Sequence, residues 1–234
     1  MKLYHFLSKK WGLKALKWQR LKVSRYNELN DPFELLAMSL SDKDIRRIVS
    51  ESKSRINDRL RILCCSKSWA SPLLWSHYAQ KHHGVALELD VPSNLAHKVG
   101  YAKDRTEIDT KIFDEGTYAQ IDSVLLNACQ TKYSQWSYED EYRIQLKIDE
   151  CVSDGKHEFI ALGNNIRITG LVLGPLCKIT QQEIEKHLPL GDTIEVTTSR
   201  IAFKSFKVVE QNLKPTYKAF GGLKYEDRKN RTGI

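Results

Sequence analysis

Glu139 and Glu141 stand two residues apart in the step Gln135-Trp136-Ser137-Tyr138-Glu139-Asp140-Glu141-Tyr142-Arg143, which runs directly into a strand-like stretch at 144–148. If the strand opens near Glu139, its period of two sets Glu139, Glu141 and Arg143 on one face and Tyr138, Tyr142 and Ile144 on the other. Two carboxylates so placed, in a chain that is otherwise basic, have the look of a site for acid–base chemistry. The plainer reading is a solvated strand entrance in which Arg143 offsets the charge, because neighbouring like charges cost little in water.

Other constellations are weaker. His77, His82 and His83 lie near Cys64-Cys65, but no C-x-x-C pair, H-E-x-x-H helix or EF-hand loop appears, so no metal site is expected. Adjacent cysteines in an apolar strand read as small core residues. No G-x-S-x-G elbow supports a serine hydrolase, and Gly163, Gly170 and Gly174 form neither a dinucleotide fingerprint nor a phosphate loop. Four aromatic and polar segments remain: Tyr4-His5, Asn30-Asp31-Pro32-Phe33-Glu34, Trp75-Ser76-His77-Tyr78 and the acidic step. Each also has an ordinary structural reading, as an edge histidine, a turn, a packing aromatic pair and a charged strand edge.

The elements that must hold these residues follow from periodicity and punctuation. Short strands are expected at 3–7, 21–24 and 61–66, with a helix over 9–19 capped by Ser8 and carrying Trp11, Ala15 and Trp18 along an apolar line. Asn30-Asp31-Pro32 is a turn initiator. A polar helix is expected over 42–59, a proline-started helical turn over 71–79, a half-buried strand over 85–91 and a helix over 108–130. Strand-like runs at 159–162, 166–173, 193–197 and 206–209 surround a helix at 181–187. Without regular βαβ alternation, the chain reads as α+β: one domain over 1–210, with a central mixed or antiparallel sheet and flanking helices, and a basic tail over 211–234.

With 234 residues the chain is long enough for a full core, and its net charge is +8. No apolar run of membrane-spanning length and no signal-peptide segment is present, and the five cysteines are odd in number, so a cytoplasmic protein without membrane contact is expected. From Met1 to Asn27 there are eight Lys or Arg and no acid, with Lys10, Lys14 and Lys17 at helical spacing and Arg20 close behind. The tail adds Lys214, Lys218, Lys224, Arg228, Lys229 and Arg231. Such ends suit a polyanion, RNA or DNA, or an acidic protein partner; lysines interleaved with Trp11 and Trp18 would supply charge and stacking together.

Taken in order, Leu3-Tyr4-His5-Phe6, Asn30-Asp31-Pro32-Phe33-Glu34, Trp75-Ser76-His77-Tyr78-Ala79 with His83-Gly84-Val85, and Trp136 to Arg143 resemble a bacterial domain-of-unknown-function family, DUF2971. Leu7-Ser8 departs from its pattern, which often places Thr-Ser there. The family's pattern in turn looks like an ADP-ribosyltransferase fold. That likeness implies NAD as substrate, with Glu141 stabilising the oxocarbenium-like ribose and Glu139 orienting or deprotonating the acceptor. It further implies that His5 holds the ribose, that Trp75 or Tyr78 stacks on the nicotinamide, and that Tyr4, Asn30, His77 and Arg143 complete the NAD site. By the same likeness the chain would be a toxin or phage-defence effector that modifies nucleic acid or protein, held in check by an antitoxin. Two other functions fit the residues: a non-catalytic nucleic-acid-binding or sensor domain, and a nuclease holding magnesium through Glu88, Glu139 and Glu141.

Overall fold

The computed structural model describes residues 1–109, 111–163 and 165–222. In chain order the elements are β1 (Lys2–Leu7), α1 (Lys9–Trp18), β2 (Arg20–Val23), α2 (Lys43–Arg59), β3 (Leu60–Ser66), α3 (Pro72–Tyr78) and β4 (Val85–Asp90). Then come β5 (Ala96–Lys98), β6 (Gly100–Ala102), α4 (Lys111–Asp114), α5 (Tyr118–Gln130), β7 (Thr131–Tyr133), β8 (Glu141–Lys147), β9 (Val152–Asp154) and β10 (His157–Ala161). The last are β11 (Arg167–Leu173), α6 (Gln181–His187), β12 (Thr193–Ile201), β13 (Val208–Glu210) and β14 (Tyr217–Phe220). The fold is mixed α+β, as the sequence leads one to expect. The chain divides into two compact units: Met1–Leu21, Cys65–Pro92 and Ala161–Ile234 in the first, Lys22–Cys64 and Ser93–Ile160 in the second.

In the first unit, β12, β11, β4 and β1 lie in that order, parallel between β12 and β11 and antiparallel elsewhere. β14 and β13 pair in turn with the first and last parts of β12. The alternation in 85–91 predicts a half-buried strand, but Val85, Ala86, Leu87 and Leu89 are all buried. The reason is that both faces are covered. Gly12 of α1 comes so close on one side that a Cβ there would lie 2.3 Å from Val85 Cγ2. On the other side Ala86 joins Phe6, Leu74, Trp75 and Val172 in one apolar cluster. Glu88 and Asp90, farther along β4, are only partly covered.

Ser8 caps α1 as expected, its hydroxyl accepting from the Trp11 N–H. The buried face of the helix, however, is Gly12, Leu13, Ala15 and Leu16, and Trp18 is 40% exposed. Small and aliphatic side chains allow the close approach to β4, and the two indoles lie outside that face. After α3 the backbone makes a left-handed turn at Gln80, Lys81 and His82, with φ of 50°, 51° and 70°. Gly84 closes it by donating its N–H to Ala79 O at 2.8 Å, and a Cβ at Gly84 would lie 2.2 Å from Leu7 O.

In the second unit β3, β8 and β5 are neighbours, β6 pairs in parallel with β7, and β10 pairs with β9. Asp42 caps α2 by accepting from the N–H groups of Asp44 and Ile45. The single helix expected over 108–130 is two, α4 and α5, because Thr117 and Gln120 form a capping box that starts a new helix. Apolar clusters gather Tyr26, Leu35, Ile62 and Cys129, and Met38, Ile45, Val49 and Ala128.

No helix among the described residues is long and apolar enough to cross a membrane. Tyr217–Phe220, within the stretch read as a basic tail, forms β14; Lys224, Arg228, Lys229 and Arg231 lie outside the described residues.

Candidate functional site

The acidic step does not enter the sheet where its alternation suggests. Residues Ser134–Glu139 form a 3-10 turn, Asp140 takes a left-handed φ of 40°, and β8 starts only at Glu141. Glu139 and Glu141 nevertheless converge, because both reach Lys132 on β7, which follows α5 without a break. Lys132 Nζ lies 2.7 Å from Glu139 Oε2, 3.3 Å from Glu141 Oε2 and 3.6 Å from Glu34 Oε1. It also sits 4.7 Å from the centre of the Trp136 ring.

Arg143, two residues along β8, completes the cluster. Its Nε donates to Glu141 Oε1 at 2.9 Å, its Nη2 to Glu34 Oε1 at 2.7 Å and to Glu141 Oε2 at 3.2 Å, and its Nη1 to the Cys129 carbonyl at 2.8 Å. The Tyr101 hydroxyl accepts the Glu141 N–H at 2.9 Å. Glu34, Glu139, Glu141 and Arg143 are all buried, so the solvated strand entrance is set aside.

Burial and pairing pull in opposite directions on each group. Desolvation raises Glu141, but Arg143 and Lys132 outweigh it and hold the carboxyl below its ordinary range. For Glu34 desolvation wins over the same two cations and the pKa is raised. Desolvation would lower Lys132, yet Glu141 and Glu139 hold it above the ordinary lysine range. Desolvation next to the Glu141 carboxylate pushes the Cys64 thiol up, and burial lifts Tyr101 to about 12. The cluster is therefore charged and largely closed. Lys132 is its edge, lining a cavity of about 220 Å³ together with Phe33, Leu36, Arg105 and Tyr133.

The remaining expected residues fall elsewhere. Asn30 is exposed; four positions later, Glu34 of the same motif is the one that meets Arg143. In the first unit the Tyr4 hydroxyl donates to Glu88 Oε2 at 3.1 Å, and Glu88 Oε1 accepts from Thr169 Oγ1 at 2.8 Å and pairs with Lys2 Nζ at 2.9 Å. His5, facing Leu87 across the β1–β4 pair, is half-buried. Trp75 is fully buried, edge-on to Phe6 at 5.1 Å, with its Nε1 donating to Trp69 O. That commits the ring to the core and corrects its assignment as a stacking surface. Tyr4 and Tyr78 pack on the same cluster, and His77 is exposed with its ring 6.0 Å from that of Tyr78. Lys10 and Lys17 are exposed on α1, and Lys14 lies over both Trp11 and Trp18.

Sequence reasoning missed Lys132 and passed over Glu34. Lys132 is a lone lysine in a three-residue strand, with no pattern to mark it. Glu34 carried a signal, a carboxylate ending a turn-rich motif beside apolar neighbours. Among the described residues no group of three or more His, Cys, Asp or Glu is arranged to hold a metal. Glu139 and Glu141, assigned to magnesium in the nuclease reading, are instead taken by Lys132 and Arg143.

No curated protein and no solved structure matches the chain. The model of one family, described as a protein of unknown function (DUF2971), matches residues 74–144. That span takes in both the Trp75–Ala79 segment and the acidic step through Arg143, and over it the chain is similar to this family.

Proposed function

We propose that the chain is a nucleic-acid-binding protein whose contact face is α1 and the start of β2. The observation that carries the reading is the setting of Trp18: the indole is exposed, with Lys14 Nζ 4.6 Å and Arg20 Cζ 4.7 Å from its ring centre. Lys14 also lies 4.9 Å from the Trp11 ring, so cations and indoles alternate along one helix. Within the acid-free N-terminal segment, Lys2 and Lys9 are engaged by Glu88 and Glu183. Lys10, Lys14 and Lys17 supply the positive face of the helix, with the half-buried Arg20 beside Trp18. Cations for phosphates beside aromatic rings for bases are the combination that sequence-tolerant nucleic-acid binding uses. The closed state of the acidic cluster suits the reading too, because binding at α1 asks nothing of it.

Fluorescence anisotropy with labelled RNA and DNA at rising salt tests this. Affinity should fall steeply with salt, and Lys14→Glu with Arg20→Glu should reduce both affinity and the salt slope. Salt-insensitive binding, or full affinity after the charge reversal, removes the reading.

A second reading is the NAD-dependent ADP-ribosyltransferase, an effector restrained by an antitoxin. In its favour stands the Glu141 carboxylate, held ionised behind Lys132, which lines a cavity. An ionised carboxylate is what a developing oxocarbenium ion requires. Against it, Glu141 is 3% exposed and already paired twice, so a ribose hydroxyl must displace Lys132. Incubation with labelled NAD and total RNA or lysate decides. Label transfer by the wild type but not by a folded Glu141→Gln variant supports the transferase; no transfer and no nicotinamide release disposes of it.

A further inference from the structure

The hairpin between β12 and β13 is held at its neck by the Ala202 N–H donating to Lys207 O at 2.9 Å. Its tip leaves Phe203 and Phe206 with 89% and 98% of their surface in water. Two nearly bare phenyl rings on one tip contribute nothing to a core, and exposed aromatic groups of this kind mark contact surfaces. Their surroundings specify the contact. From Ser199 to Val209 there is no acid, while Arg200, Lys204 and Lys207 bring three cations.

Arg200 Cζ lies 4.3 Å from the centre of the Phe203 ring. Beside it an open cleft of about 500 Å³ is lined by Arg200, Phe203, Lys204, Glu210 and Asn212. Glu210, its one carboxylate, accepts from Thr216 Oγ1 at 2.7 Å. The cleft thus offers an aromatic face, an amide able both to donate and to accept, and cations at the rim.

We propose that this hairpin cleft holds an unpaired nucleotide of a single strand. The base stacks on Phe203, Asn212 meets the base edge, Arg200 and Lys204 meet its phosphate, and Phe206 and Lys207, outside the cleft on the same tip, meet the neighbouring nucleotide. This rests on the nucleic-acid reading above and narrows it from nucleic acid in general to single strands, because a phenyl ring can stack only on a base whose face is not covered in a duplex. A lipid surface is the poorer fit. A tip that buries itself among acyl chains keeps polar groups away from its apolar face, whereas Asn212 and Glu210 share the cleft with Phe203.

The test uses the full chain against fluorescein-labelled oligo(U) and oligo(dT), a duplex of equal length, and phosphatidylglycerol vesicles. Wild type is compared with the double variant Phe203→Ala, Phe206→Ala and, separately, with Lys14→Ala, Arg20→Ala. The phenylalanine variant should lose roughly tenfold or more in single-strand affinity with its salt slope unchanged, since stacking and not charge is removed. Its duplex binding and its melting temperature should match the wild type. If the wild type binds single strands and this variant binds them equally well, the hairpin proposal is overturned and the reading centred on α1 stands. If the wild type binds no oligonucleotide, both fall. Vesicle binding that depends on the two rings, without an effect on single strands, assigns the tip to lipid and overturns the proposal.

Discussion

Glu141 in the second unit and Glu88 in the first are both strand carboxylates held below their ordinary pKa, yet they are held by different chemistry. Glu88 keeps 15% of its side chain exposed and gathers two hydroxyls, Tyr4 and Thr169, with an ammonium, Lys2, that is itself 61% exposed. Glu141 is shut away and is met by a fully buried guanidinium and by Lys132, with Glu34 and Glu139 drawn in behind them. Desolvation opposes ionisation at both sites, but only at Glu141 is water unable to take over when a partner is lost. The comparison teaches that a lowered carboxylate pKa reports pairing, whereas the consequence of breaking the pair is set by burial.

Arg143→Met should be the most damaging substitution at either site. It leaves Glu141 and Glu34 without their main cation in a site that water does not reach, and a loss of about 3–5 kcal/mol of stability is expected from urea unfolding. A loss below about 1 kcal/mol would mean that water enters and that the two sites are alike. Lys132→Met should be milder, about 2–3 kcal/mol, because Arg143 still holds Glu141 and only the charged hydrogen bonds of Lys132 are lost. Glu88→Gln or Tyr4→Phe should cost about 1 kcal/mol or less by the same measurement, since the amide can keep a hydroxyl contact and Lys2 returns to solvent. Equal losses at Arg143 and Glu88 would end the distinction.

What could be read beforehand follows the same line. Helices are legible in the sequence: α1 from its Ser8 cap, α3 from Pro72, and α2 and α6 as helical stretches at 42–59 and 181–187. Strands of three residues, such as β5, β6, β7 and β9, are too short to show a period, and with β7 went Lys132. The step at 135–143 was legible as a cluster of chemistry but not as a buried one. Its alternation is the same whether water or Lys132 faces the carboxylates, and the turn at Asp140 depends on a left-handed φ that the sequence does not announce. On α1 the helical spacing of the lysines shows in the sequence, whereas of the expected apolar line only Ala15 is buried, because indoles weigh heavily in an apolar count and small residues carry the close contact to β4.

The finest test separates two carboxylates within one cluster. Glu34 and Glu141 both meet Lys132 and Arg143, Glu139 meets Lys132, and Glu34 Oε2 is buried with no hydrogen-bond partner among the described residues. Desolvation raises the Glu34 pKa, so the folded state binds this proton more tightly than the unfolded chain does. Its contribution is therefore full below the ordinary carboxylate range and is lost as pH rises through the folded pKa. Glu141, whose folded pKa is lowered, acts in the opposite sense: its contribution is present above the ordinary range and is lost as pH falls. Glu34→Gln keeps an oxygen for Arg143 while removing the third negative charge. It should leave the acid-side loss of stability in place and abolish the decline above the ordinary carboxylate range, so that variant and wild type diverge from about pH 4.5 until the folded pKa of Glu34 is passed. Melting temperatures taken between pH 4 and pH 8 would show this change of slope, the smallest of the expected effects. Parallel curves would mean that Glu34 is ionised like Glu141 and that the cluster carries its excess negative charge without relief.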